Sequence, residues 1–183
     1  MNRRPGLSFA VSYALICGAL FLVYFVFAYP YSGLPYRLFT GYLHGYAVAA
    51  GTVLHMLDPT VRVANTNIEG RVSLTIVRGC DGTDVLILFS AAVLASRAHP
   101  WPSRAFGVIA GAVLLSAANV VRICSLYFIG IRSPSAMEVW HLEIWPLVLM
   151  GLAVGIFLAW GRWATGKGGP LRSAGLERAA VAE

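Results

Sequence analysis

From Leu7 to Tyr29 the chain carries no charged residue. That single run limits what the rest can fold into. A helix of this length crosses the hydrocarbon of a bilayer, because in lipid every backbone N–H and C=O must be bonded within the segment. Arg3 and Arg4 precede it. The run exceeds the apolar stretch of a cleavable signal peptide, so it is expected to stay as an anchor. Three more apolar stretches follow. Gly82 to Ser96 is short and ends at Arg97, His99, Pro100 and Pro102. Phe106 to about Gly130 is interrupted only by Arg122, and Ile144 to Gly161 has Trp140, Trp145, Trp160 and Trp163 at its ends as interfacial anchors. With 58% hydrophobic and 12% charged residues, the expected fold is an α-helical integral membrane protein, a multi-span helical bundle. Residues 1–163 make one membrane-embedded domain, and the Gly-rich stretch 164–183 a flexible cytoplasmic tail. The net charge of +6 sits mostly in connections and tail, where it suits a lipid surface rather than nucleic acid.

Two segments have a different pattern. Tyr36 to Leu57 is helical in spacing, but Arg37, His44 and His55 make it a poor span. Ala47, Ala50, Leu54 and Leu57 share one face, as in an amphipathic helix lying at the interface. Thr60 to Arg78 changes to a period of two, with Val72, Leu74 and Ile76 alternating with Ser73 and Thr75. This predicts a short β-hairpin outside the hydrocarbon, turning at Asn67 to Gly70, just before Cys80.

Helix parity then brings three side chains to one membrane face: Cys80 before one apolar helix, Arg122 in the upper part of the next, and His141 at the entrance to the last. With Tyr36 to Leu57 interfacial and the N-terminus inside, Arg3, Arg4, Arg97, Arg104, Arg162, Lys167, Arg172 and Arg178 fall inside. Arg37, Arg62, Arg71, Arg78 and Arg132 fall outside. The basic excess is then cytoplasmic, and the three residues lie on the extracytoplasmic face.

Each has a chemical use. Cys80 stands in Arg78-Gly79-Cys80-Asp81-Gly82, where a strand becomes a helix. A helix N-terminus favours a thiolate, flanking glycines admit a substrate backbone, and the nearby Asp81 and Asp84 oppose part of that stabilisation. Arg122 would lie roughly 12 Å below the end of its helix, at a depth where a guanidinium needs a polar cavity or a partner. Asn119 shares its face and is placed to orient it. His141 titrates in the range useful for proton transfer, with Glu138 or Glu143 near enough in sequence to hold its tautomer. A thiol, a cation and a base together make a nucleophilic acyl-transfer site. A non-catalytic scaffold, with Cys80 merely packed, and a small transporter, with Arg122 on an anion path, also fit these residues. No cofactor is called for. His44 and His55 are about 16 Å apart along their helix, too far to share a metal, and no Cys-x-x-Cys or carboxylate cluster supports a zinc site. Cys17 and Cys124 lie in apolar helices as packing residues.

Cys80-Asp81-Gly82 at a strand-to-helix turn, Asn119-Val120-Val121-Arg122 in the next span and His141 opening the following one resemble the exosortase/archaeosortase family over roughly Thr40 to Trp160. The resemblance implies a membrane-embedded cysteine protease or transpeptidase of the cell (inner) membrane. It implies Cys80 as nucleophile, forming a thioester acyl-enzyme, with Arg122 and His141 as its catalytic partners and Asn119, Asp81 and Gly82 supporting them. It also implies exported protein substrates that end in a short motif, a hydrophobic span and a basic cluster. Asp81 stands where serine is common in the family, and the chain is shorter than many relatives.

Overall fold

The computed structural model describes residues 5–29 and 32–180, with side chains for 6–29 and 32–166. Arg3 and Arg4 therefore lie outside the described residues, as do the side chains of Lys167, Arg172 and Arg178, all used above to orient the chain. The order is α1 (Pro5–Ala28), α2 (Gly33–Leu57), β1 (Arg62–Ala64), β2 (Asn67–Glu69), β3 (Leu74–Thr75), α3 (Thr83–Ala95), α4 (Trp101–Arg132) and α5 (Pro134–Val139). A π-helical turn (Trp140–Ile144) then leads into α6 (Trp145–Ala180). The last helix thus continues beyond Gly161, where the final span was expected to end. The tail expected at 164–183 falls on this stretch as far as Ala180, and 181–183 lie outside the described residues.

Three helical stretches, Gly6–Ala28, Trp101–Arg132 and Pro134–Gly166, are long and apolar enough to cross a membrane. This is an α-helical membrane protein. Leu15, Leu22, Leu147 and Leu158 on the first and last of them are exposed, as suits surfaces solvated by lipid. α3 has 13 residues and is therefore only ~20 Å long, short of the ~30 Å hydrocarbon thickness. It packs against α1, α4 and α6, and buries Ile87, Phe89, Ala91, Val93 and Ala95. Gly111 permits the α3–α4 approach: a Cβ there would lie 2.0 Å from the Phe89 ring. Phe89 and Val93 join Leu115, Ala153, Trp160 and Ala164 in one core.

A second core lies where α2, the strands and the C-terminal half of α4 meet. Leu43, Tyr46, Ala47, Ala50 and Leu54 of α2 pack with Val61, Ile68, Ile76, Ile123 and Tyr127. The apolar stripe of α2 is thus covered by protein, and Leu57, expected on it, is 65% exposed instead. The helix ends at Leu57, so this residue has no further turn to pack beneath.

The expected hairpin is present and gains a third strand, in the antiparallel order β1-β2-β3. The turn was misplaced, however. Asn67 to Glu69 is the central strand, and the chain reverses before it, at Asn65 and Thr66. Asn65 adopts φ 55°, a left-handed conformation that asparagine tolerates better than most residues. His44 and His55, unassigned above, place Nδ1 2.6 and 3.0 Å from the carbonyls of Asn65 and Val61, tying α2 to the sheet.

Tyr127 ties the sheet to α4. Its hydroxyl donates to Asp58 at 2.9 Å and accepts from the Arg71 N–H at 3.0 Å. Asp58 also accepts from the Thr60 N–H and hydroxyl. These bonds, with the charge of Arg71, hold the Asp58 carboxyl below its ordinary range. Tyr127→Phe should cost ~1–3 kcal/mol, mainly by leaving the Arg71 N–H without an acceptor, and lower the melting temperature in detergent. The Asp58 contribution should be complete above the ordinary carboxyl range and lost as pH falls through its depressed value. The Tyr127→Phe stability deficit should therefore shrink in acid; a deficit that does not depend on pH would separate Tyr127 from Asp58.

Candidate active site

The segment that delivers Cys80 is built by two glycines and an aspartate. Gly79 and Gly82 take φ of 85° and 71°, in the left-handed region open to glycine. Asp81, only 1% exposed, accepts from the Gly79 N–H and from the Thr83 hydroxyl, stapling the turn from inside. Cys80 is itself not in the helix. Gly82 is the N-cap of α3, and the Cys80 N–H donates back to the Val77 carbonyl at 3.0 Å. The helix-terminal stabilisation expected for a thiolate is therefore displaced by three residues. Burial dominates in its place and pushes the Cys80 thiol above its ordinary pKa. The cation of Arg122 and the Val77 backbone work against that shift, and the charge of Asp81 adds to it.

α4 brings Asn119 and Arg122 to this turn from one buried face. The Asn119 side-chain amide donates to the Cys80 carbonyl at 3.2 Å, and its oxygen accepts from Arg122 Nη1 at 3.4 Å. A Cβ on Gly82 would lie 3.3 Å from the Asn119 amide carbon, so position 82 is restricted by space as well as by φ. Arg122 is 5% exposed, and its Nη2 lies 3.4 Å from both Nδ1 and the carbonyl oxygen of His141. Its buried Nε has no partner. Among the described residues, the hydrogen-bond partners of this buried cation are Asn119 and His141, neither of them an acid.

His141 sits in the π-helical turn, where Trp145 donates to the Trp140 carbonyl across five residues. Pro146 gives the reason. It has no N–H for the Leu142 carbonyl, and its ring would clash there, so the helix widens by one residue just upstream. Nε2 of His141 lies 3.5 Å from Cys80 Sγ. A guanidinium only donates, so Nδ1 is the acceptor, and the ring proton is assigned to Nε2, facing the sulfur. Arg122, rather than the expected Glu138 or Glu143, therefore sets the tautomer. The turn carries the ring around to α4.

Cys80, Arg122 and His141 thus converge at one cleft of about 320 Å³, lined also by Leu74, Thr75, Ile76, Ile123 and Leu126. Cys17 and Cys124 are free thiols, as is Cys80, and Cys124 points to the Ala50 carbonyl rather than to the cleft. The sequence reading missed the contribution of the strand residues Leu74 to Ile76 to this wall. It also missed the tyrosine chain beside it, in which Tyr42 meets Thr83 at 3.1 Å and Tyr46 donates to Ser116 at 3.0 Å. Hydrophobic alternation gave the strand but nothing that aimed its edge at Cys80.

Against known proteins, the sequence model of the transmembrane exosortase family (Exosortase_EpsH) matches residues 6–161. The chain belongs to the transmembrane exosortase family. No curated protein and no solved structure matches it. Exosortase membership suggests a membrane transpeptidase role toward exported proteins. The matched region contains the sheet, the Cys80 turn, Asn119, Arg122 and His141 together.

The raised thiol pKa has a direct readout. Alkylation of Cys80 by iodoacetamide in detergent should keep accelerating as pH rises through about 8.5, the ordinary cysteine value. Arg122→Gln removes the opposing cation and should move the profile to still higher pH. A wild-type midpoint below the ordinary value, or a profile indifferent to Arg122, would contradict this account of the thiol.

Proposed function

We propose that this exosortase is a cysteine protease/transpeptidase of the cell (inner) membrane that cleaves the C-terminal sorting signal of exported proteins through a thioester acyl-enzyme. One observation carries the reading: a thiol, an imidazole and a buried guanidinium meet at a single cleft. Residues 1–163 act as the membrane domain and 164–183 as a cytoplasmic tail. The cleft opens on the extracytoplasmic face, where the charge bias of the loops puts it.

The steps follow from the contacts. In the resting site the Arg122 contact at Nδ1 keeps the proton on Nε2 of His141, so the ring cannot accept the thiol proton. A substrate carbonyl entering the cleft competes for Arg122. Once Arg122 turns to that oxygen, the ring gives its Nε2 proton to water and takes one at Nδ1, and the freed Nε2 then takes the proton from Sγ. The sulfur attacks the carbonyl carbon, and Arg122 stabilises the oxyanion that develops. His141 then passes its Nε2 proton to the departing amine as the C–N bond breaks, leaving the thioester. An acceptor, an amine or water, loses a proton to His141 and attacks the thioester, releasing Cys80. Asn119 positions both the Cys80 backbone and Arg122.

The test is an immunoblot of a tagged exported host protein ending in a short motif, an apolar span and a basic cluster. Cells carrying the wild-type chain should process it, and cells carrying Cys80→Ala should not. Arg122→Gln or His141→Ala should slow processing by about 100-fold. Equal processing with and without the thiol would overturn the reading.

A further inference from the structure

The three-stranded sheet ends at β3, so among the described residues one edge of that strand has no strand beside it. The Ile76 N–H donates to the Thr66 carbonyl at 2.8 Å, so Ile76 turns its backbone toward the β2 side, as does Leu74 two residues earlier. Thr75, between them, turns its N–H and C=O the opposite way, along the free edge. Leu74, Thr75 and Ile76 line the same cleft as Cys80, Arg122 and His141. The N–H and C=O of Thr75 on that edge are one donor and one acceptor to which an added strand can pair.

We propose that the exported substrate binds by adding a strand to β3: the segment just before its scissile bond lies extended along this edge, hydrogen-bonded to Thr75. This rests on the transpeptidase reading above and specifies how that site holds a peptide. Topology sets the direction. β3 runs from the sheet toward Cys80 and then into the apolar helix α3. The substrate likewise runs from its exported body toward its own apolar span. The two strands are therefore parallel, and Thr75 bonds the substrate residues on either side of the one facing it. Backbone pairing supplies register, while alternate substrate side chains meet Ile123 and Leu126 across the cleft. The same register carries the scissile carbonyl on toward Cys80, within reach of Arg122.

The assay is processing of the tagged exported protein described above. Thr75→Pro removes the edge-facing N–H and leaves the bonds between β3 and β2 in place, because that N–H faces away from β2. It should slow processing by about 100-fold, since misplacing the reacting carbonyl by an ångström has that effect. Thr75→Val keeps the edge-facing N–H, so it should process the substrate about ten-fold or more faster than Thr75→Pro does. Iodoacetamide alkylation of Cys80 should match the wild type in both, reporting an intact turn. The second measurement needs no proline. In a Cys80→Ala background, Thr75→Cys is paired with single cysteines placed along the substrate before its cleavage site. With copper–phenanthroline as oxidant, a disulfide should form at the one substrate position that faces Thr75 and not at its two immediate neighbours, whose side chains point to the other face. Wild-type processing by Thr75→Pro, an equal loss with Thr75→Val, or equal crosslinking at adjacent substrate positions would overturn strand addition and leave the transpeptidase reading standing. If the proline variant fails to accumulate, the crosslinking pattern decides. Loss of the thiol requirement in the Cys80→Ala control would instead remove the reading beneath it.

Discussion

Asn119 makes two bonds on which the rest of the site depends. Its amide N–H holds the carbonyl of Cys80, and its carbonyl oxygen holds Arg122. One fully buried side chain thus fixes the loop that carries the thiol relative to the helix that carries the cation. The arrangement works only because position 82 has no Cβ. A side chain there would crowd the amide that reaches past it, at a φ that side chains rarely adopt. Asp81 completes the constraint from within the turn by bonding Gly79 and Thr83. The loop before α3 is therefore held by side-chain bonds and by the turn bond from Cys80 to Val77 rather than by helical hydrogen bonds. Such restraint would suit the proposed nucleophile, because small displacements of reacting atoms change rates strongly.

Much of this was legible in the sequence, for reasons tied to particular residues. The charge-free run from Leu7 to Tyr29 can do little except cross a bilayer. Arg122 stands out because it alone interrupts the apolar run of α4, and the spacing of Asn119 to Arg122 puts both on one helical face. The turn between β1 and β2 was not legible. Asn67-Ile68-Glu69-Gly70 has turn-like composition, but Ile68 is fully buried and anchors the middle strand, while the reversal falls on Asn65. Burial of one isoleucine outweighed local propensity. The partner of His141 was hidden for a different reason. Nearness in sequence suggested Glu138 or Glu143, whereas Pro146 adds a π turn that rotates the ring toward α4. The apolar stripe read on α2 stops short of Leu57, because periodicity tells which residues share a face but not where the covering protein stops.

The electrostatics of the cleft couple these elements. Burial raises the thiol and Arg122 opposes it, so the resting balance favours the protonated sulfur. Among the described residues Arg122 is hydrogen-bonded only to Asn119 and His141, with the Asp81 charge acting on it from a distance. A buried guanidinium without a bonded acid is costly, and an anion arriving beside it relieves that cost. In the proposed mechanism that anion is the oxyanion itself, which exists only after attack has begun. Stabilisation that appears only in the transition state accelerates the chemistry, whereas a carboxylate already paired with Arg122 would have used it in the ground state. The long 3.4 Å contacts to Asn119 and His141 fit this role, because they hold the cation in place without satisfying it.

The same contact explains why thiol and imidazole need not form an ion pair at rest. An imidazolium would place Nδ1–H against Arg122, two donors facing each other. In the proposed mechanism, nucleophile activation therefore waits on the movement of Arg122 toward a bound carbonyl. For a peptidase acting on exported chains, a thiol that stays protonated until a peptide lies along the cleft would limit attack on passing carbonyls. Under that mechanism and the proposed strand addition, selectivity resides partly in the order of events: backbone binding beside β3 first, displacement of Arg122 second, and proton transfer to His141 last. Because each step uses a contact that the previous one changes, a peptide that enters the cleft out of register engages Arg122 poorly and leaves the thiol unactivated.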